Sequence, residues 1–309
     1  MDMGASVIAR LKNKAKETGK PFQLHLQLFC QEEFLRRLAA SRYAENLVLK
    51  GGLFIYTLTN FESRATVDID FLLRQFPGTI EDIKRMVDEI IAVDSGNDFI
   101  TFTSRGFETI SPQRKYKGVS FQLVGHIKNT RTPFDVDFGV GDVIVPSSHK
   151  RTIPVQLDGF DVPEVLTYSL ESTIAEKFDA LLQRLELTSR MKDIYDIYYL
   201  SSMFDFDGRA LQQAVYETLQ NRGTVYEKDS FDRVIALAEN KDIQTRWRQY
   251  LRRLKMEELA LEDVAASLDR FLRPVWDAIV SEEELFDTWS SAISRWTSTS
   301  QKEVTTGEE

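Results

Sequence analysis

Four aspartates fall in two alternating pairs: Asp68 and Asp70 in "RATVDIDFLL", and Asp135 and Asp137 in "TPFDVDFGVGD". The residues between and beside them are β-branched or aromatic, which suits strands. A strand's period of two sends both carboxylates of a pair to one face, leaving Val67, Ile69 and Phe71 on the other face of the first run. Like charges side by side repel, so something must offset that cost. If the two strands are neighbours, three or four carboxylates converge, and a hard cation makes the cluster favourable. Mg²⁺ takes oxygen ligands octahedrally and keeps positions open for phosphate oxygens. Two such ions about 3.5–4 Å apart can clamp the attacking and leaving oxygens of a phosphoryl displacement. The alternative for each pair is the wet face of an exposed antiparallel strand.

Upstream, "LVLKGG" sets Gly51 and Gly52 after a short apolar run. Glycine has no Cβ, so backbone N–H groups there can approach an anion closely; equally, Gly-Gly is a tight turn. Lys50, Arg64 and Thr66 flank the glycines and the first aspartate pair, placed either to contact phosphate or to cap and solvate. "RWRQYLRRLK" (246–255) combines Arg246, Arg248, Arg252, Arg253 and Lys255 with Trp247 and Tyr250. Basic residues interleaved with aromatics can grip an RNA backbone and stack bases, or can form the solvated face of an amphipathic helix. "RKYKG" (114–118) is a basic loop open to the same two readings. His25 reads as a surface or half-buried residue.

These residues need a scaffold. Residues 5–45 read as helical, with Pro21 as a start signal and Phe22, Leu26, Phe29, Phe34 and Leu38 near helical spacing. "LVLKGG" reads as a short buried strand ending in a glycine turn, "LFIYTLTNF" as a short helix and "TVDIDFLL" as a second strand. "GTIEDIKRMVDEIIAV" is an amphipathic helix. "DFITFTSRGFETI", "VSFQLVGHIK" and "TPFDVDFGVG" form a β-meander. From about 165 the texture turns helical. The expected fold class is α+β: an α/β domain over 1–164, an all-helical domain over 165–296 and a polar tail over 297–309.

The chain has 309 residues, 42% hydrophobic and 28% charged, a profile that excludes a disordered chain. No apolar run approaches about 18 residues, so no membrane span is expected. The first helix is basic without an apolar signal core, which points to the cytoplasm. Cys30 is the one cysteine and the three histidines are widely separated, which excludes an intrachain disulfide and argues against zinc. A net charge of −9 argues against bulk electrostatic coating of nucleic acid and leaves local basic patches open.

The order glycine turn, D-x-D, later carboxylate resembles the polymerase-β-type nucleotidyltransferase superfamily, with Gly52 where many members have Ser. "STIAEKFDALLQR" (172–184) and "RMKDIYDIYYL" (190–200) resemble the E-K-x-x-A and R-x-K-D-x-x-D motifs of the AbiEii/MenT nucleotidyltransferase toxins. The N-terminal segment resembles that family's signature too, so the likeness runs over about residues 5–205. It implies a toxin of a bacterial toxin–antitoxin system that transfers NMP from an NTP to RNA, with the 3′ end of tRNA as the leading acceptor and a cognate antitoxin. Asp68, Asp70 and Asp137 would hold Mg²⁺ or Mn²⁺, with Asp137 as ligand or general base. Lys50, Gly51, Gly52, Arg64, Thr66 and Lys177 would contact the nucleotide. Asp193 would be a second essential polar residue, with Asp196 and Arg190 as further candidates. The alternatives are transfer to a small-molecule or protein hydroxyl, or a nucleotide-binding module without catalysis.

Overall fold

The computed structural model describes residues 2–110, 118–183 and 190–298. The basic loop candidate at 114–117 and the tail beyond 298 lie outside these residues. Contacts divide the chain into two compact units, Met1–Asp142 with Ser148–Tyr168, and Val143–Ser147 with Ser169–Glu309.

The first unit opens with α1 (Met3–Thr18) and α2 (Phe22–Ala40). Gly19 breaks the helical segment in the left-handed conformation, φ 66°, and Pro21 caps the start of α2. Leu26, Phe29, Phe34 and Leu38 are buried, as their spacing predicts. So are Glu32, Glu33, Arg36 and Arg37 on the same helix. Buried charges persist only when paired. Arg36 pairs with Glu32 at 3.3 Å and Glu33 at 3.2 Å, and Arg37 with Glu33 at 3.1 Å. His25 is buried as well, contrary to expectation, because Thr18 Oγ1 and Gln156 Oε1 satisfy both ring nitrogens at 2.8 and 2.7 Å.

There follow β1 (Leu47–Lys50), α3 (Gly51–Leu58), β2 (Ile69–Leu73), α4 (Ile80–Ile91), β3 (Ile100–Ile110), β4 (Gly118–Ile127), β5 (Thr130–Val140), β6 (His149–Thr152) and β7 (Glu164–Thr167). They form a seven-stranded mixed sheet in the order β3-β4-β5-β2-β1-β7-β6. The meander β3-β4-β5 is antiparallel, β5 runs parallel to β2, and β1 lies antiparallel to β2 and parallel to β7.

Two local expectations change. Gly51 and Gly52 do not form a separate turn; they are the first residues of α3. β2 begins only at Ile69, so Val67 does not join Ile69 and Phe71 in the core and is 52% exposed. Its carbonyl instead accepts from Gln27 at 2.6 Å and Gln31 at 2.8 Å, which ties the approach to β2 onto α2.

The second unit contains α5 (Leu170–Gln183), α6 (Met191–Met203), β8 (Phe206–Asp207), α7 (Gly208–Arg222), α8 (Ser230–Ala236), α9 (Lys241–Leu254), α10 (Leu261–Val280), β9 (Thr288–Ser290) and β10 (Arg295–Thr297). It is predominantly helical, and its helices are joined by a small antiparallel sheet in the order β10-β9-β8. Phe178 packs edge-to-face on Phe231 and Trp276, with ring centroids 5.2 and 5.8 Å apart. Among the described residues no helix is long and apolar enough to cross a membrane.

Candidate active site

The sheet lines up the candidate residues by register. Lys50 on β1 is the partner of Asp70 on β2, Asp70 the partner of Asp137 on β5, and Asp137 the partner of Ser120 on β4. Register partners project to the same face, so the four side chains form one row across four strands. Asp68 lies just before β2, and Asp135 two residues before Asp137 on β5.

The glycines fix where the row meets α3. Gly51 has φ +68°, and a Cβ there would lie 2.6 Å from Asp70 Cγ and 2.8 Å from its Cβ. Only glycine lets the carboxylate rest against the start of α3, where the helix dipole favours negative charge. A Cβ at Gly52 would lie 2.8 Å from Thr66 Oγ1 and 2.9 Å from Thr66 Cβ. Thr66 thus occupies the space that a serine side chain would need, and brings a hydroxyl to that corner from another position. Arg64 is half-buried. Lys50 Nζ donates to Asp142 at 2.8 Å and sits 5.1 Å from the Tyr168 ring centroid.

The charge balance of the row shows in Asp137. Its carboxyl is pushed up to about 6, chiefly by burial; the Ser120 hydroxyl opposes the shift, and the charges of Asp70, Asp68 and Asp135 add to it. Asp137 Oδ1 is buried with no hydrogen-bond partner. A buried acceptor left in that state is costly, and a divalent cation or an incoming hydroxyl would satisfy it. The donor set is all oxygen, as Mg²⁺ requires. Among the described residues no group of three or more His, Cys, Asp or Glu side chains is placed to hold a metal ion.

Lys177, Asp193 and Asp196 belong to the second unit. Lys177, on α5, is buried and donates to Asp193 Oδ1 at 3.1 Å and Asp196 Oδ2 at 2.6 Å, both on α6. Arg190 reaches Asp193 Oδ2 at 3.1 Å. Burial pushes the Asp193 carboxyl up, but Lys177, Arg190 and Lys192 outweigh it and hold the group below its usual range. On another side of α5, Arg222 pairs with Glu176 and Asp179, both at 3.0 Å. Glu176, Lys177, Asp179, Arg190, Asp193 and Asp196 are therefore held in ion pairs, not solvated as separate helix surfaces.

Sequence reading passed over Ser120, Asp142, Gln27 and Gln31. Asp142 stands inside the quoted "DFGVGD"; the others act through register or backbone contacts that leave no motif. In "RWRQYLRRLK", Trp247 and Tyr250 are core residues, 1% and 9% exposed, so they cannot stack bases.

A glycine-initiated helix packed on a row of carboxylates, carried by a mixed sheet, agrees with the class that the family match gives the chain, a nucleotidyltransferase. It belongs to the family of the nucleotidyl transferase AbiEii toxin of Type IV toxin–antitoxin systems, which matches residues 33–281. Membership implies a nucleotide substrate and an antitoxin partner. Among solved structures, JHP933 from Helicobacter pylori is similar at 15% identity, covering 84% of this chain and 93% of that one, with a TM-score of 0.44. An antigenic nucleotidyltransferase-like protein from Paracoccidioides brasiliensis is similar at 15% identity, covering 81% and 94%, with a TM-score of 0.36. Neither likeness is close enough to assign a residue. No curated protein matches the chain.

Proposed function

We propose that the chain transfers a nucleoside monophosphate from an NTP to an RNA hydroxyl, with the 3′ end of tRNA as the leading acceptor. The acceptor oxygen forms a bond to the α-phosphorus, the bond from that phosphorus to the β-bridging oxygen breaks, and pyrophosphate leaves. Asp68, Asp70 and Asp137 would hold a divalent cation, which when bound supplies positive charge to the phosphate oxygens. The observation that carries the reading is the shared rung of Asp70 and Asp137, with Asp137 Oδ1 buried and unpartnered.

The chain's own groups have distinct tasks. Asp137, with a carboxyl raised to about 6, suits a base that takes the acceptor's proton near neutral pH, or a ligand whose proton would be released to water when a cation binds. The start of α3 offers backbone N–H groups to phosphate oxygens, and Thr66 and Lys50 flank it. Lys177 and Asp193 are assigned to nucleotide handling on the motifs they share with the family. We place the reaction in the cytoplasm, where NTP and tRNA are both present.

The test is incubation of the protein with total tRNA and each labelled NTP in turn, with Mg²⁺ and with EDTA, followed by a denaturing gel. Label in a tRNA-sized band, lost in EDTA, is the expected result and identifies the nucleotide. Label that enters only small molecules or the protein itself would overturn the RNA acceptor. Transfer that persists in EDTA would overturn the cation.

A further inference from the structure

The outer face of α9 concentrates positive charge on a chain whose net charge is −9. The inner face buries Ile243, Trp247, Tyr250 and Leu251, while Arg248, Arg252, Arg253 and Lys255 stand exposed. Arg248 and Arg252 follow i, i+4 spacing and lie on one stripe about 6 Å long, with Lys255 just past the helix end. Arg248 donates to the Gln244 carbonyl and the Thr245 hydroxyl, both neutral, so its charge stays uncompensated. Like charges at i, i+4 work against a helix. The helix dipole favours Arg252 and Arg253 in the last turn, but Arg248 lies a turn earlier and Lys255 lies past the end in a left-handed conformation. The stability of the helix therefore does not account for the whole stripe.

A polyanion does. A basic amphipathic helix binds a membrane by lowering its apolar face into the lipid, and here that face is in the core, with Trp247 Nε1 committed to the Leu259 carbonyl at 2.7 Å. The buried aromatics remove base stacking too. What remains is recognition of phosphate, which is independent of base sequence. We infer that the exposed face of α9 is a docking track for the phosphate backbone of the RNA acceptor, an inference that rests on the RNA reading above.

The test compares the full chain with the variant R248Q/R252Q/K255Q, using total tRNA as the probe. Three lost phosphate contacts should lower tRNA affinity about tenfold or more at moderate salt, and flatten the slope of log affinity against log salt by about 2. The KM for tRNA should rise while binding of free NTP stays unchanged, and the charge-keeping R248K/R252K/K255R should retain wild-type affinity. If the parent binds and labels tRNA and the variant matches it in affinity and slope, the track is overturned while the RNA reading stands. If the parent neither binds nor labels tRNA, both fall. If the substitutions abolish binding to phosphatidylserine vesicles and leave tRNA binding intact, the face belongs to a membrane and the inference is wrong.

Discussion

Asp70 and Asp137 are register partners across the parallel strands β2 and β5, so two carboxylates far apart in the sequence share one rung of the sheet. Neutralising either should leave the fold intact and remove transfer, by on the order of 10²–10³-fold. For Asp137 the sign of the stability effect is worked out from its raised carboxyl. The contribution of its protonated form is present below the ordinary value of 3.8 and is lost as pH rises through about 6. At pH 7.5 the ionised group therefore costs stability, and Asp137→Asn in EDTA should gain roughly 1–2 kcal/mol of stability once solvent screening is allowed for, read as a higher melting temperature. Thermal unfolding and the labelled-NTP assay on the same preparation check both halves. Near-normal transfer by a folded Asp70→Asn variant would remove these aspartates from the chemistry.

Gly51→Ala combines a left-handed φ of +68° with a Cβ 2.6 Å from Asp70 Cγ. Gly19→Ala is its control, since Gly19 has φ +66° and nothing within 4 Å of its virtual Cβ. Both should lose about 1 kcal/mol to the backbone. Only Gly51→Ala should also displace the Asp70 carboxylate and lose most transfer activity. Equal activities in the two variants would mean that the packing of α3 on Asp70 is not needed.

The sequence exposed what periodicity and residue type can express. The helix over Ile80–Ile91, the three meander strands and the placing of Asp135 and Asp137 on one strand were legible because alternation and helical spacing run long enough to be counted; the strand expected to carry Asp68 with Asp70 begins only at Ile69. β7 and β9 were not legible, since four and three residues hold too little pattern. "HKRT" of β6 is a polar edge strand with no apolar alternation to betray it. The pairing of Asp70 with Asp137 needed β5 to lie beside β2, which no local signal specifies. Val67 was misread because alternation said nothing of Gln27 and Gln31, whose side chains hold its carbonyl outside the strand. Trp247 and Tyr250 were ambiguous for a similar reason: their types suit both a stacking platform and a core, and burial decides.

The buried cluster on α2 should make stability depend on pH. Burial pushes Glu32 up from 4.5 to about 7, against the Gln156 N–H, Arg36 and Lys14, which favour its charged form. Folding thus favours the protonated acid. Its contribution is complete below about 4.5 and is lost as pH rises through about 7, at up to roughly 3 kcal/mol. Glu32→Gln still offers an acceptor to the Gln156 N–H and should flatten that slope. Denaturant unfolding of both proteins at pH 5 and pH 7.5 measures it. Parallel pH profiles would show that the ion pair with Arg36 keeps Glu32 charged throughout.

Lys177 poses the hardest test, because its ion pairs and its assigned role predict the same crude result. It is buried between Asp193 and Asp196 at 3.1 and 2.6 Å, so Lys177→Ala strands two carboxylates and should cost about 3–5 kcal/mol of stability. Activity would then fall whether or not the lysine ever meets a phosphate. Lys177→Met combined with Asp196→Asn separates the two roles. It removes one charge of each sign, and Asp193 keeps Arg190 at 3.1 Å. The double variant should recover most of the melting temperature lost in Lys177→Ala. Transfer should nevertheless stay depressed by about 2–4 kcal/mol in transition-state terms, the loss of one preorganised charge. If it regains wild-type kcat/KM along with its stability, Lys177 only braces α5 against α6, and the nucleotide must be held by other groups.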